Sequence, residues 1–244
     1  MNIGQMKSKI DSIKSRVKGK YYRLKKPSIV KIKGILISVP ENSTKMLEYA
    51  LYYGCYEDNE LKTVVSKLEP NDTVMELGTG LGLLSTFCAK TIGSDRVFTY
   101  EANPQLEPII QQNYVLNEVK PQLEICLLGS QLGQESFYLS DNLWDSSKIK
   151  YHENLRPIQV NVKSFNDEIK KINPSFLIMD IEGGEYELCQ YADFYNVKKL
   201  AMELHEDLIG TEKANLVKAK LKEVGFRLNK QFSYGLQELF WERN

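Results

Sequence analysis

A chain of 244 residues with 42% hydrophobic and 26% charged side chains suits one large globular domain with a sizeable core. Its four cysteines (Cys55, Cys88, Cys126, Cys189) are scattered without a C-x-x-C pair, which argues against a zinc knuckle or a disulfide framework and for reduced thiols in a cytoplasmic protein. No apolar run approaches the ~20 residues of a membrane span, and the N-terminus lacks the apolar core of a signal peptide.

The net charge is zero, but residues 1–26 hold nine Lys/Arg against the single acid Asp11, leaving 23 bases and 31 acids, a balance of −8, in the remaining 218. An acidic body is a poor nucleic-acid platform, because binding a polyanion rests on cations that neutralise phosphates. Within the basic segment Ile3, Met6, Ile10, Ile13, Val17, Tyr21 and Leu24 step by three or four, the pattern of an amphipathic helix with a cationic face. Residues 1–26 therefore read as a helix set apart from a domain over 27–244. It is expected to pack on protein, across a homodimer interface, with an anionic membrane or a partner enzyme as the other contacts open to it.

Beyond Pro27, Ser28–Val39 alternates like a hairpin turning near Gly34, and Lys45–Tyr53 and Glu60–Leu68 have helical patterns. Glu57 falls between those helices, in a position to fold over a ligand. Pro70-Asn71-Asp72 is a turn that feeds Val74–Thr86, VMELGTGLGLLST. An apolar run, three alternating glycines and then helical spacing describe a buried parallel strand, a tight turn and a helix, an arrangement that brings backbone amides close to a nucleotide-like ligand. The dinucleotide fingerprint is G-x-G-x-x-G, whereas Glu76, Gly78, Gly80 and Gly82 spell E-x-G-x-G-x-G.

The second strand, Arg96–Glu101, ends in an acid 23 residues past Gly78, where a carboxylate can accept two hydrogen bonds from a ribose diol. Nicotinamide enzymes share this device. Asn103-Pro104 then opens a helix over Gln105–Asn117. Leu123–Leu128 reads as a third strand whose end places Leu128 against a base and Ser130 at its edge. Gln134–Leu139 reads as an extra strand, and Trp144, in the polar loop Asp141–Ile149, suits a wall or lid of the acceptor site. Phe176–Asp180 is a further strand whose carboxyl end puts Asp180 and Glu182 at the site, and Leu200–Leu204 delivers His205 to the same rim. Thr211–Val224 is a helix, with Phe226–Asn229 and Glu238–Trp241 as closing strands. The alternation makes the class α/β with a mostly parallel sheet.

Four stretches, Val74–Leu83, Tyr100–Pro104, Ser164–Ile169 (SFNDEI) and Asp180–Glu187 (DIEGGEYE), resemble the FkbM-type S-adenosylmethionine-dependent methyltransferases over about residues 30 to 205. The last is the most specific, resembling that family's D-x-E-G-x-E signature; Asn166 departs from the family's usual leucine. The resemblance implies a Rossmann-like class I methyltransferase fold with a seven-stranded sheet, S-adenosylmethionine as donor, and O-methylation of a sugar, polysaccharide precursor or secondary metabolite. Glu57, Glu76, Gly78, Thr79, Gly80, Gly82, Glu101, Asn103, Leu128, Ser130 and Asp180 are the expected cofactor-binding residues, and Trp144, Glu182 and His205 the expected acceptor contacts.

Methyl transfer is one in-line displacement, which asks an enzyme to align the acceptor oxygen ~3 Å from the methyl group, exclude water and remove a hydroxyl proton. Asp180 and His205 are the candidate proton acceptors, His205 because imidazole titrates near neutrality. Asp180, Glu182, Glu203 and His205 are chemically suited to a divalent cation, but no compact ligand motif supports one and none is expected. An NAD(P)-dependent oxidoreductase is the main alternative, opposed by the glycine spacing and by D-I-E-G-G-E. A nucleic-acid N-methyltransferase would show a D-P-P-Y-like motif where Met179-Asp180-Ile181-Glu182 stands. A non-catalytic binding module is the third, opposed by Glu101, Asp180 and His205.

Overall fold

The computed structural model describes residues 16–140, 146–150 and 153–244. The chain divides into two compact units, Met1–Asp58 and Asn59–Asn244.

In the first unit, residues 16–25 are helical (α1), and β1 (Ile29–Ile32) pairs antiparallel with β2 (Ile35–Ser38). The hairpin turns at Lys33 and Gly34, with φ of 42° and 97°, the two positive values that a tight hairpin turn matching the strand twist requires. Helix α2 (Lys45–Tyr53) is capped by the Thr44 hydroxyl, which accepts from Leu47 N at 3.4 Å, and ends at Gly54 in the left-handed region. Val30, Ile32, Ile35, Ile37, Leu47, Leu51 and Tyr52 are buried. Helix α1 packs through Gly19, where a Cβ would lie 2.4 Å from the Tyr53 ring, and through Tyr22, edge-on to Tyr52 with centroids 6.3 Å apart.

The second unit continues with α3 (Asp58–Lys67), β3 (Val74–Leu77), α4 (Leu83–Ile92), β4 (Val97–Glu101), α5 (Glu107–Leu116), β5 (Gln122–Ile125), β6 (Leu127–Gly129), β7 (Gly133–Leu139) and β8 (Arg156–Ser164). It closes with α6 (Phe165–Ile172), β9 (Phe176–Met179), α7 (Glu185–Tyr191), β10 (Lys199–Glu203), α8 (Glu206–Ile209), α9 (Thr211–Glu223), β11 (Arg227–Leu228) and β12 (Glu238–Glu242). Seven strands form one sheet in the order β11-β12-β10-β9-β3-β4-β5. β10, β9, β3, β4 and β5 run parallel, while β12 runs antiparallel to both β10 and β11. The sheet is thus mostly parallel, as expected, with one reversed strand, β12, next to the β11 edge.

The chain winds outward from β3 through β4 to β5, then returns to the other flank of β3 with β9. That reversal is a topological switch point, and it opens a crevice at the carboxyl ends of β3, β4 and β9. Both β3 and β9 are buried along their whole length, which is why they read as apolar runs, broken only by Glu76 in β3. At the opposite, amino-end rim, Lys199 Nζ meets buried Asp72 at 2.7 Å.

One expectation is corrected. Leu123–Leu128 is not one strand: β5 ends at Ile125, and after buried Cys126 the chain leaves the main sheet as β6. There it joins β8 and β7 in a separate three-stranded sheet, order β6-β8-β7. β8, nine residues long, was not anticipated, although Ile158, Val160 and Val162 alternate with Gln159, Asn161 and Lys163 in the period of a half-buried strand. The thiols of Cys88, Cys126 and Cys189 are free and buried, and Cys55 is free and exposed. Among the described residues no helix is long and apolar enough to cross a membrane.

Candidate active site

Gly78 follows β3 with φ +81°, and a Cβ there would lie 1.6 Å from the Asp180 carbonyl oxygen. Only glycine allows the ends of β3 and β9 to approach this closely. The approach is held by Asp180 N donating to Leu77 O at 2.8 Å, while Gly78 N ties the turn to β4 through Tyr100 O at 2.9 Å. The turn then closes with Gly82 N donating to Thr79 O at 2.8 Å, and Gly82 (φ 77°) caps α4.

Glu101, at the end of β4, is tied to that turn. Its Oε2 accepts from the amides of Thr79 (3.0 Å) and Gly80 (3.1 Å), and its Oε1 from Asn103 N at 2.8 Å. Burial pushes its carboxyl up to about 7, against the opposing pull of those three amides. A carboxylate has about four lone-pair sites, so one acceptor position beyond these three contacts is left for a ligand. Asn103 is itself buried, bonding Ser146 Oγ at 3.3 Å and receiving Gln105 N at 3.0 Å. Its amide shapes the turn after β4.

Glu76 is buried inside β3, with Oε2 lacking a hydrogen-bond partner. Burial first, and then the charges of Glu101 and Asp180, push it up to about 8, against the hydrogen bonds of Ser85. The folded protein therefore keeps this proton to about pH 8 while the unfolded chain gives it up near 4.5. Proton linkage then lowers stability as pH rises through that window. Glu76→Gln removes the charge, so its thermal midpoint relative to the wild type should climb between about pH 5 and about pH 9, by ~2–4 °C for each kcal/mol of linkage released. A constant difference in a melting series across that range would contradict a buried, late-titrating Glu76.

The rim opposite the glycine turn comes from β9, the loop after it, and β10. Asp180 is half-buried, yet its Oδ1 is enclosed and has no hydrogen-bond partner. His205 is buried, with Nδ1 2.8 Å from Oε1 of the fully buried Glu185, and Gly183 N donates to the same oxygen at 3.0 Å. The ring is thereby fixed with Nε2 facing Glu182 Oε2 at 3.3 Å, Asp180 Oδ1 at 3.7 Å and Glu203 Oε1 at 3.8 Å. The Ser147 hydroxyl donates to the Glu182 carbonyl, holding a loop in which Glu182 and Gly183 have φ of 48° and 95°.

Burial alone would lower the His205 pKa, but the Glu185 hydrogen bond and the charges of Asp180, Glu185 and Glu182 raise it to about 10. Glu203 is pushed up to about 8 by burial and by Asp180, and Asp180 is raised by burial against the pull of His205. The expectation of an imidazole titrating near neutrality is corrected: the carboxylates of Glu185, Asp180 and Glu182 hold this ring as an imidazolium, which has no lone pair for a proton. Donor atoms of Asp180, Glu203 and His205 all lie within 4.8 Å of one another, a spacing that would suit a divalent cation only with the ring deprotonated.

The structure thus gathers Glu76, Gly78, Thr79, Gly80, Gly82, Glu101, Asn103, Asp180, Glu182 and His205 at one end of the sheet. It does not bring Leu128 and Ser130 to the end of β5; Leu128 lies on β6, packed on the core, and Ser130 is exposed beyond it. Glu57 belongs to the first unit, and Trp144 lies outside the described residues. Glu185 was missed as a functional group, although it stands inside D-I-E-G-G-E; only the fold shows it behind His205.

A domain model described as the methyltransferase FkbM domain matches residues 76–228. The chain belongs to the FkbM methyltransferase family. The match starts at Glu76 and ends in β11, so it takes in the glycine turn, Glu101 and the whole His205 rim of this methyltransferase. No curated protein matches the chain. Among solved structures it is similar to a ribosomal protein L11 methylase from Lactobacillus delbrueckii subsp. bulgaricus, with 13% identity, 76% of each chain covered and a TM-score of 0.46. A magnesium protoporphyrin IX methyltransferase from Synechocystis PCC 6803 with bound SAM is similar at 15% identity over 84% of this chain and 87% of that one, TM-score 0.46. A precorrin-6y C5,15-methyltransferase from Geobacter metallireducens GS-15 is similar at 11% identity over 71% and 72%, TM-score 0.41.

Proposed function

We propose that this FkbM-family methyltransferase uses S-adenosylmethionine to methylate a hydroxyl oxygen of a small acceptor, a sugar, polysaccharide precursor or secondary metabolite, in the cytoplasm. The observation that carries this reading is the meeting, across the crevice, of the Glu101-bound glycine turn and the partnerless Oδ1 of Asp180. The residues fit the donor. The glycine turn admits close approach of a ligand backbone, Glu101 offers a buried acceptor for a ribose diol, and the Asp180 carboxylate suits a cationic molecule. S-adenosylmethionine supplies an electrophilic methyl carbon on a sulfonium.

The chain's own part is positioning and proton handling. Asp180, half-buried at this rim, would accept the hydrogen bond and then the proton of the acceptor hydroxyl as the methyl group passes from the sulfonium to its oxygen. His205, held by Glu185, acts as a fixed cation that orients Asp180 and Glu182 around the acceptor. A small acceptor accords with the acidic balance of residues 27–244, which disfavours a polyanionic one.

Titration calorimetry against S-adenosylhomocysteine and NAD tests the donor, and a label from methyl-labelled S-adenosylmethionine tests the acceptor. Saturable binding of S-adenosylhomocysteine without NAD binding is expected, with label appearing in small hydroxylated compounds. Binding of NAD alone would overturn the donor assignment, and label in nucleic acid or protein would overturn the acceptor class.

A further inference from the structure

Helix α1 is turned so that its apolar stripe faces away from its own unit. Val17, Tyr21 and Leu24 are 64, 56 and 85% exposed, and their spacing puts them on one face. The opposite face, Gly19 and Tyr22, is the one packed on Tyr53 and Tyr52. At 100° per residue, Lys20 and Lys25 border the stripe on either side, with Arg16 and Arg23 beyond Lys20, and all four are exposed. No acid lies between Asp11 and Glu41. In the sequence, the same steps of three and four run back through Ile13, Ile10, Met6 and Ile3.

We infer that α1 docks this face on an anionic lipid bilayer surface. A bilayer boundary takes the apolar stripe into its acyl region while the bordering lysines reach up to acidic headgroups. The other occupants satisfy only half of the surface. A polyanion such as RNA would engage the cations but leave Val17, Tyr21 and Leu24 in water. A second copy seated stripe to stripe would set Lys20 and Lys25 against the same cations of its partner.

Vesicle flotation of the full chain tests this, using phosphatidylcholine alone and phosphatidylcholine with phosphatidylglycerol. We expect at least about tenfold more protein on the anionic vesicles, released by ~0.5 M salt as charges are screened. Val17→Asp with Leu24→Asp should lower that binding about tenfold, and Lys20→Gln with Lys25→Gln should remove the preference for anionic lipid. Both double variants should keep the wild-type affinity for S-adenosylhomocysteine, which shows that they fold. Failure of the full chain to float, equal flotation on both vesicles, or wild-type flotation of either double variant would overturn the inference. So would a dimer in sedimentation that Val17→Asp/Leu24→Asp converts to a monomer, since the second copy would then be the occupant.

Discussion

Gly78→Ala should be the most damaging single substitution in the site, lowering stability by ~4 kcal/mol or more, beyond the range of ordinary point mutations. Two effects add. A φ of +81° costs an L side chain ~1–2 kcal/mol. The new Cβ would also lie 1.6 Å from the Asp180 carbonyl oxygen and 2.8 Å from its carbonyl carbon, both backbone atoms that cannot swing aside as a side chain would. Relief needs β3 and β9 to separate, which breaks the Asp180 N to Leu77 O bond and shifts Asp180 itself. Gly210→Ala separates the two effects, since Gly210 has φ +85° with nothing within 4 Å of its Cβ. Thermal midpoints should fall by ~10 °C or more for Gly78→Ala and only by ~2–6 °C for Gly210→Ala, and the Gly78 variant should lose binding of S-adenosylhomocysteine. Equal falls in the two variants would mean that the β3–β9 approach is not tight.

The contrast between these glycines bears on what the sequence could reveal. The glycine turn was legible because its chemistry is local: Gly78, Gly80 and Gly82 lie within five residues, and each glycine's freedom can be read from its place in the run. Glu101 was legible because strand ends in a wound sheet recur at a predictable distance. The His205 rim was only half legible. Asp180 and Glu182 lie on one loop and Glu185 opens the helix after it, but Glu203 and His205 come from the next strand and its end, so no compact ligand motif exists for a triad that the fold nevertheless assembles. The charge state of His205 was misjudged for the same reason, since the carboxylates of Glu185, Asp180 and Glu182 converge on it through space. Leu128 failed differently. Nothing in LEICLL marks Cys126 as the point where the chain abandons the main sheet, because both continuations are apolar. The α1 stripe gave the right period and no direction; which face is covered depends on Gly19 and on the tyrosines of α2.

Glu101→Ala should weaken binding of S-adenosylhomocysteine by at least about tenfold while leaving the sheet intact. A hydrogen bond to a charged group contributes ~1.5–3 kcal/mol, which is a factor of ~10–150 in affinity. The substitution removes the acceptor proposed for the ribose diol, and it also releases the amides of Thr79, Gly80 and Asn103 that Glu101 gathers. Glu101→Gln distinguishes these roles, because its amide keeps one acceptor oxygen but turns a donor toward backbone N–H groups. The carboxyl is raised to about 7 by burial, and a diol donating to it favours the ionised form. Wild-type affinity should therefore rise as pH passes from about 6 to about 8 and flatten above, as linkage requires for a ligand that binds the deprotonated state. Glu76 and Asp180 titrate in the same neighbourhood, so the Glu101→Gln profile supplies the baseline: the part of the rise due to Glu101 should vanish in it. Calorimetry at matched pH that finds Glu101→Ala binding as tightly as the wild type would remove Glu101 from the ribose, whatever its part in shaping the turn.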